Sequence, residues 1–218
     1  MTKQSVLASS KWSVKKSKLA VCIPTRDTLH SAHAMCLLEL VKFNTMHNID
    51  THVFMNASTV LLTQREQLAT SAIELDSEYV LWLDSDMTFP ATTAVRLLAH
   101  NEPVVAANYV RRSMPLKGVA YTSTGDWSSW LSFKKTDSLA EVERVGMGCF
   151  LMKTELFSKL SKPWFEFKWN PESNDYLGED FTLCQKILDA GYKIKIDTAL
   201  SHEIRHLGTY GFGPGDLA

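Results

Sequence analysis

The amino-acid sequence predicts a single α/β domain: a mostly parallel central sheet flanked by helices, with a smaller and more mixed C-terminal half. Three observations predict it. Short apolar runs alternate with stretches of helical periodicity through the first half of the chain. A length of 218 residues suffices for one substantial α/β unit. A hydrophobic share of 45% against 22% charged residues fits a packed core rather than a disordered chain.

The elements follow in order. Leu19-Ala20-Val21-Cys22-Ile23 reads as a buried strand ended by Pro24. Residues 31–46 carry Ala34, Leu37, Leu38 and Val41 at helical spacing. A short strand over 52–55 and a helix over 63–74 precede Tyr79-Val80-Leu81-Trp82-Leu83, a further buried strand. Residues 90–100 read as a helix and 104–107 as a strand. After Arg111 the alternation weakens: 118–122, 141–145 and 149–153 read as strands, 154–160 as a short helix and 170–178 as a loop. Residues 179–190 form a helix stopped by Gly191, and 193–196 a last strand before a Gly-rich tail. Residues 1–17 are a polar lead-in, and neither repeat nor linker divides the rest.

Composition excludes several classes. A formal net charge of −1 provides no global field for nucleic acid or an anionic membrane. No apolar run reaches the roughly 18 residues needed to span a bilayer, and the polar start is not a secretory signal. Cys22, Cys36, Cys149 and Cys184 form no Cys-x-x-Cys pair and read as small buried residues of a reducing compartment, so a cytoplasmic location is expected.

The chemistry centres on Asp84-Ser85-Asp86, directly after the third strand. Alternation points both carboxylates the same way, at the sheet edge where open α/β folds bind ligands. Such paired oxygen donors suit Mg²⁺ or Mn²⁺ with phosphates completing the shell. Gly178-Glu179-Asp180 opens the late helix; acids there gain about 0.3–1 kcal/mol from the helix dipole, yet a carboxylate facing a leaving group could equally act as a general base. His206 is a fair Mn²⁺ ligand, whereas His202 is expected to face solvent. Arg65 and Arg26 lie where a guanidinium could pair with a diphosphate, and Arg111 and Arg112 could reach sugar or phosphate. Gly146-Met147-Gly148 permits close approach of backbone to a ligand or marks a bulge. Trp127, Trp130, Trp164, Phe165 and Trp169 could be sugar platforms or core residues.

Ile23-Pro24-Thr25-Arg26-Asp27, Leu81-Trp82-Leu83-Asp84-Ser85-Asp86, Gly178-Glu179-Asp180 and Ile204-Arg205-His206-Leu207-Gly208 occur in this order across residues 19–210. Together they resemble the family 2-like glycosyltransferases of the GT-A (Rossmann-like) fold, especially short forms from bacteriophage and bacterial genomes. The resemblance implies a nucleotide-sugar donor, a UDP-sugar first, over residues 18–110 and an acceptor half over 111–210. It implies that Pro24, Thr25, Arg26 and Asp27 contact the base and that Arg65 and Ser85 belong to the donor site. Asp84 would reach the ribose or, through water, the metal; Asp86 would ligate Mn²⁺ or Mg²⁺ directly, with His206. The Gly-Glu-Asp followed by a distant His is similar to inverting β-galactosyltransferases, which makes Asp180 the expected base and Glu179, with Trp164, expected acceptor contacts. The acceptor stays open among a glycan, a lipid-linked sugar, a protein and a modified DNA base, and the location would be the host cytoplasm if phage-encoded. Polymer-extruding synthase activity is not expected of a chain without a long extension or membrane helix. A nucleotidyltransferase and a non-catalytic sugar-binding module are the rival classes. The first more often carries a glycine-rich loop after the first strand, and residues 24–30 hold no glycine; the second has no need of two separated acid pairs.

Overall fold

The structure, a computed structural model, describes residues 15–113, 115–126, 128–129, 131–132, 139–171 and 174–208. Trp127, Trp130, most of the lead-in and the Gly-rich tail lie outside the described residues. The chain runs β1 (Ser17–Thr25), α1 (Ser31–Met46), β2 (Ile49–Ala57), α2 (Leu61–Glu74), β3 (Tyr79–Leu83), β4 (Met87–Thr88), α3 (Thr93–Ala99) and β5 (Val104–Ala106). It continues through β6 (Leu139–Val142), β7 (Cys149–Lys153), a 3₁₀ turn (Thr154–Ser158), β8 (Lys168–Asn170), β9 (Asp175–Leu177), α4 (Glu179–Asp189), β10 (Ile194–Asp197), α5 (Thr198–Ser201) and β11 (Arg205–His206).

The main sheet has seven strands in the order β2-β1-β3-β7-β5-β10-β6. All but β7 and β6 run in one direction, so the sheet is mostly parallel as the alternation predicts. Strands β1 and β3 are buried along their lengths, which explains why they read as continuous apolar runs. β2 lies at the edge and shows the half-exposed pattern of an edge strand. Parallel order brings the ends of β1, β2 and β3 to one rim, at Thr25, Ala57 and Leu83. The antiparallel β7 starts at that rim, with Leu83 beside Cys149.

Several elements differ from the sequence expectation, each for a local reason. β1 does not stop before Pro24 but runs to Thr25; pairing with β3 ends at Cys22, and beyond it only β2 is a neighbour, so a missing N–H is tolerated. α1 buries His33, Leu37, Leu40 and Asn44 and leaves Leu38 exposed. Each polar side chain is anchored through one atom: His33 Nδ1–H donates to the Met87 carbonyl at 2.9 Å, and Asn44 Nδ2 donates to Thr51 Oγ1 at 3.0 Å. The expected strand over 118–122 is reduced to isolated bridges, because the N–H groups of Val119 and Ala120 donate to the Asn108 side chain at 3.0 and 3.1 Å. The expected loop over 170–178 contains the β8–β9 hairpin, in which Trp169 faces Tyr176. The expected helix over 154–160 is a single 3₁₀ turn.

All four cysteines are free, and burial pushes the thiols of Cys22, Cys149 and Cys184 up to about 12, which makes them inert core residues. Among the described residues no helix is long and apolar enough to cross a membrane.

Candidate active site

At the rim where β1, β2 and β3 end, a cleft of about 350 Å³ is lined by Pro24, Thr25, Arg26, Arg65, Asp84, Ser85, Asp86, Glu179, Asp180 and His206. Most of the residues singled out from the sequence therefore meet in one place, although up to 182 positions separate them. Asp27 is exposed and does not line the cleft. Trp164 is not there either. Its indole N–H donates to the Phe157 carbonyl at 2.9 Å and its ring packs on Phe157, so it belongs to the core against the 3₁₀ turn.

One side of the cleft is built by α2. The amide of Gln64, a residue with no apparent signal in the sequence, donates to the carbonyls of Thr25, Asn56 (2.6 Å) and Ser58 (3.2 Å). One side chain thus ties the ends of β1 and β2 together, and Ser58 and Thr59 join the lining.

Arg65, the next residue, is buried beneath the cleft. Its Nη2 pairs with Asp84 Oδ1 at 3.0 Å and its Nε lies 3.4 Å from Glu179 Oε1, with the guanidinium 5.5 Å from the centre of the Trp82 ring. Burial alone would weaken its charge, but the two carboxylates outweigh it and hold its pKa above the ordinary arginine value. In place of the free diphosphate clamp expected from the sequence, Arg65 is a bridge between the end of β3 and the start of α4. Glu179, expected to hold acceptor, is the buried partner of that bridge.

Asp86 sits on the open side. Its Oδ2 is 3.0 Å from Arg112 Nη1 and 3.4 Å from His206 Nε2. His206 comes close because β11 pairs with β4: His206 lies opposite Met87, and Leu207 N–H donates to the Asp86 carbonyl at 2.7 Å. No apolar run announces these two-residue strands, which is why sequence reading missed them. His206 Nδ1–H donates to the Val110 carbonyl at 3.2 Å, which turns Nε2 toward Asp86. Burial would raise the Asp86 carboxyl, but the hydrogen bond and charge of His206 and the charge of Arg112 hold it below the usual carboxylate value.

Asp86 Oδ2 and His206 Nε2, 3.4 Å apart, are an oxygen and a nitrogen of the kind a divalent ion accepts, and a second hydrogen bond orients the imidazole. Asp84 is engaged by Arg65. Among the described residues no group of three metal-ligating side chains converges, so a bound ion would need oxygens from a substrate.

Asp180 forms the far wall. Its Oδ1 accepts the N–H of Phe181 at 2.7 Å. Burial, and then the charge of Glu179, push its carboxyl up to about 7. That value suits a group that must take a proton near neutral pH. Gly146 and Gly148 face the ring of Tyr109 rather than a ligand: a Cβ at Gly146 would lie 2.5 Å from the phenol oxygen, and one at Gly148 2.8 Å from the ring. The phenol also accepts Gly148 N–H at 3.1 Å, and burial and nearby Asp84 keep it protonated. Tyr109 in turn meets His206 edge to face at 5.4 Å between centroids.

Comparison with known proteins agrees with this architecture. The Anp1 family model matches residues 57–146, the stretch that holds Arg65, Asp84, Asp86 and Arg112. A sequence search of curated proteins finds no match. Among solved structures, A197 from STIV superposes with a TM-score of 0.55 at 15% identity, over 90% of this chain and 97% of that one. A mutant of Drosophila β-1,4-galactosyltransferase 7, in complex with manganese, UDP-Gal and xylobiose, gives 0.52 at 14% identity, over 92% of this chain and 79% of that one. The fold is therefore of the GT-A type, and the Anp1 family model matches 90 of the 218 residues, across the strand that precedes Asp84.

Proposed function

We propose that the cleft transfers a sugar from a nucleotide-sugar donor, a UDP-sugar first, to an acceptor hydroxyl, with inversion at the anomeric carbon and dependence on Mn²⁺ or Mg²⁺. One observation carries the reading: Asp180, with its raised pKa, shares a cleft with Asp86 and His206, so a base and a candidate cation site face the same space. The manganese, UDP-Gal and xylobiose bound by the Drosophila neighbour support a nucleotide-sugar donor and a glycan acceptor.

The chain's own residues divide the work. The ends of β1 and β2, tied by Gln64, receive the base and ribose. Asp86 and His206 would hold the ion, which when bound neutralises charge on the leaving diphosphate. Asp180 removes the proton from the acceptor hydroxyl as its oxygen bonds to the anomeric carbon and the bond to the diphosphate oxygen breaks. Nucleoside diphosphate leaves, and Asp180 ends protonated.

A screen of nucleotide sugars for Mn²⁺-dependent release of nucleoside diphosphate tests the reading. Wild type should release it with one donor, and Asp86→Ala should lose metal-dependent nucleoside diphosphate binding while staying folded. Equal affinity in chelator and in Mn²⁺, measured by calorimetry on wild type, would sink the metal dependence.

A further inference from the structure

The β8–β9 hairpin leads directly into Gly178 and α4, and it holds large aromatic rings in solvent: Trp169 is 49% exposed, Tyr176 63%, and neighbouring Phe167 51%. Trp169 and Tyr176 are register partners with centroids 5.1 Å apart at 75°, so each ring braces the other in an upright position. Trp169 opens onto a groove of about 650 Å³, larger than the cleft itself. Thr182, Gln185 and Asp189, spaced along one side of α4, form one wall; Asn170 and Glu166 stand on the other.

The groove lies next to the candidate active site along the chain: Leu177 and Thr182 line the groove, and Asp180 between them lines the cleft. From Thr182 to Asp189 the groove follows α4 for about 10 Å at a helical rise of 1.5 Å per residue.

Its chemistry is selective. Lys186 is paired with Glu166 at 2.6 Å, and Gln185 Nε2 donates to Asp189 Oδ1 at 2.9 Å. Arg144 and Lys168 also line the groove, so three cations stand against the carboxylates of Glu166 and Asp189, a net of one positive charge and no phosphate-tracking field. The walls are too polar for the apolar centre of a protein–protein contact. A flat indole beside amide and carboxylate groups matches a sugar ring, whose C–H face lies on the aromatic surface while its hydroxyls bond to the walls.

We propose that this groove is an acceptor subsite for the sugar units beyond the one that reacts, so that the acceptor is a saccharide chain lying across Trp169 along α4. The proposal rests on the reading of Asp180 as the base, because that places the reacting end.

The test uses the full chain and a glycan array of defined cello-, xylo-, malto- and chito-oligosaccharides of one to four units, in UDP and Mn²⁺. Wild type should bind one series and bind its longer members more tightly. Trp169→Ala should weaken binding of the longer members by about tenfold or more and leave the monosaccharide unchanged. Gln185→Ala, at a half-buried position on α4, should act in the same direction and leave the thermal midpoint little moved. Binding independent of length, equal binding by Trp169→Ala, or no glycan bound by wild type would overturn the subsite. UDP binding and donor hydrolysis without acceptor report separately on the transferase reading. Their loss in wild type would refute that reading; their persistence with a failed array would refute only the subsite.

Discussion

Asp84 and Asp86 lie two residues apart just beyond the end of β3, and each has an arginine at 3.0 Å. The distances are equal; the surroundings are not. Arg65 is 3% exposed and also reaches Glu179, whereas Arg112 is 51% exposed and donates otherwise to the Leu207 carbonyl. The buried guanidinium of Arg65 is out of reach of water and can be held only by its carboxylates, so it is a fixed strut between β3 and α4. On the open rim, water screens the pair and competes for it, so Asp86 can exchange partners. The two carboxylates are themselves alike in exposure, 30% for Asp84 and 22% for Asp86, so what separates them is the burial of the arginine that each one meets.

The largest expected effect follows from burial at Asp180. Asp180→Asn should lower turnover by about 10²- to 10⁴-fold while nucleoside diphosphate affinity holds. Wild-type turnover should rise with pH through about 7, as the carboxyl deprotonates. Stability runs the other way. A carboxyl raised in the folded state keeps a proton that the unfolded chain has lost, so it costs stability as pH rises from the ordinary carboxylate range through about 7. Asp180→Asn should therefore melt higher than wild type at about pH 8 and alike at about pH 4. An Asn variant that turns over normally would leave Asp180 as a helix-start acid with no catalytic part.

Next in size, Arg65→Met should cost about 3–5 kcal/mol in urea unfolding, because it leaves the buried Glu179 and the partly buried Asp84 without their cation. Arg112→Met should cost less than about 1 kcal/mol in the same assay. Equal losses would erase the distinction between wall and rim.

How much of this could be read from sequence follows the same division. β1, β3, β7 and α4 were readable because burial on both faces, or a start and stop signal, leaves a local pattern. Asp84, Asp86, Asp180 and His206 could be selected because chemistry restricts which side chains fit such a site, and the resemblance supplied their order. Arg65 lines the cleft while paired with Asp84, and nothing local in the sequence tells whether a guanidinium faces a ligand or a neighbouring carboxylate. Gln64 and Asn108 could not be found: each serves backbone carbonyls or N–H groups that are remote in sequence. Trp164 and Trp169 are the plainest case, two tryptophans in one irregular stretch, of which tertiary packing buries the first and exposes the second.

The rim itself can be sharpened at His206. His206→Ala should raise the Mn²⁺ concentration needed for nucleoside diphosphate release by about 10- to 100-fold, and His202→Ala should change it little. Equal shifts from both substitutions would remove His206 from the cation site.

The smallest expected effect concerns Arg112, and it decides whether the open pair is a competitor or a support. In the structure the guanidinium occupies the oxygen of Asp86 that also faces His206. A divalent ion drawn to that oxygen must displace or share it, and an exposed ion pair offers no more than about 1 kcal/mol of resistance. Without nucleotide, Arg112→Met should therefore bind Mn²⁺ more tightly, by at most about fivefold in calorimetry. The gain should shrink at high salt, where wild type already has the pair screened. Weaker Mn²⁺ binding by Arg112→Met would mean the opposite: Arg112 would be holding Asp86 in place for the ion, a second strut on the side of the cleft where the present geometry shows an exchangeable contact.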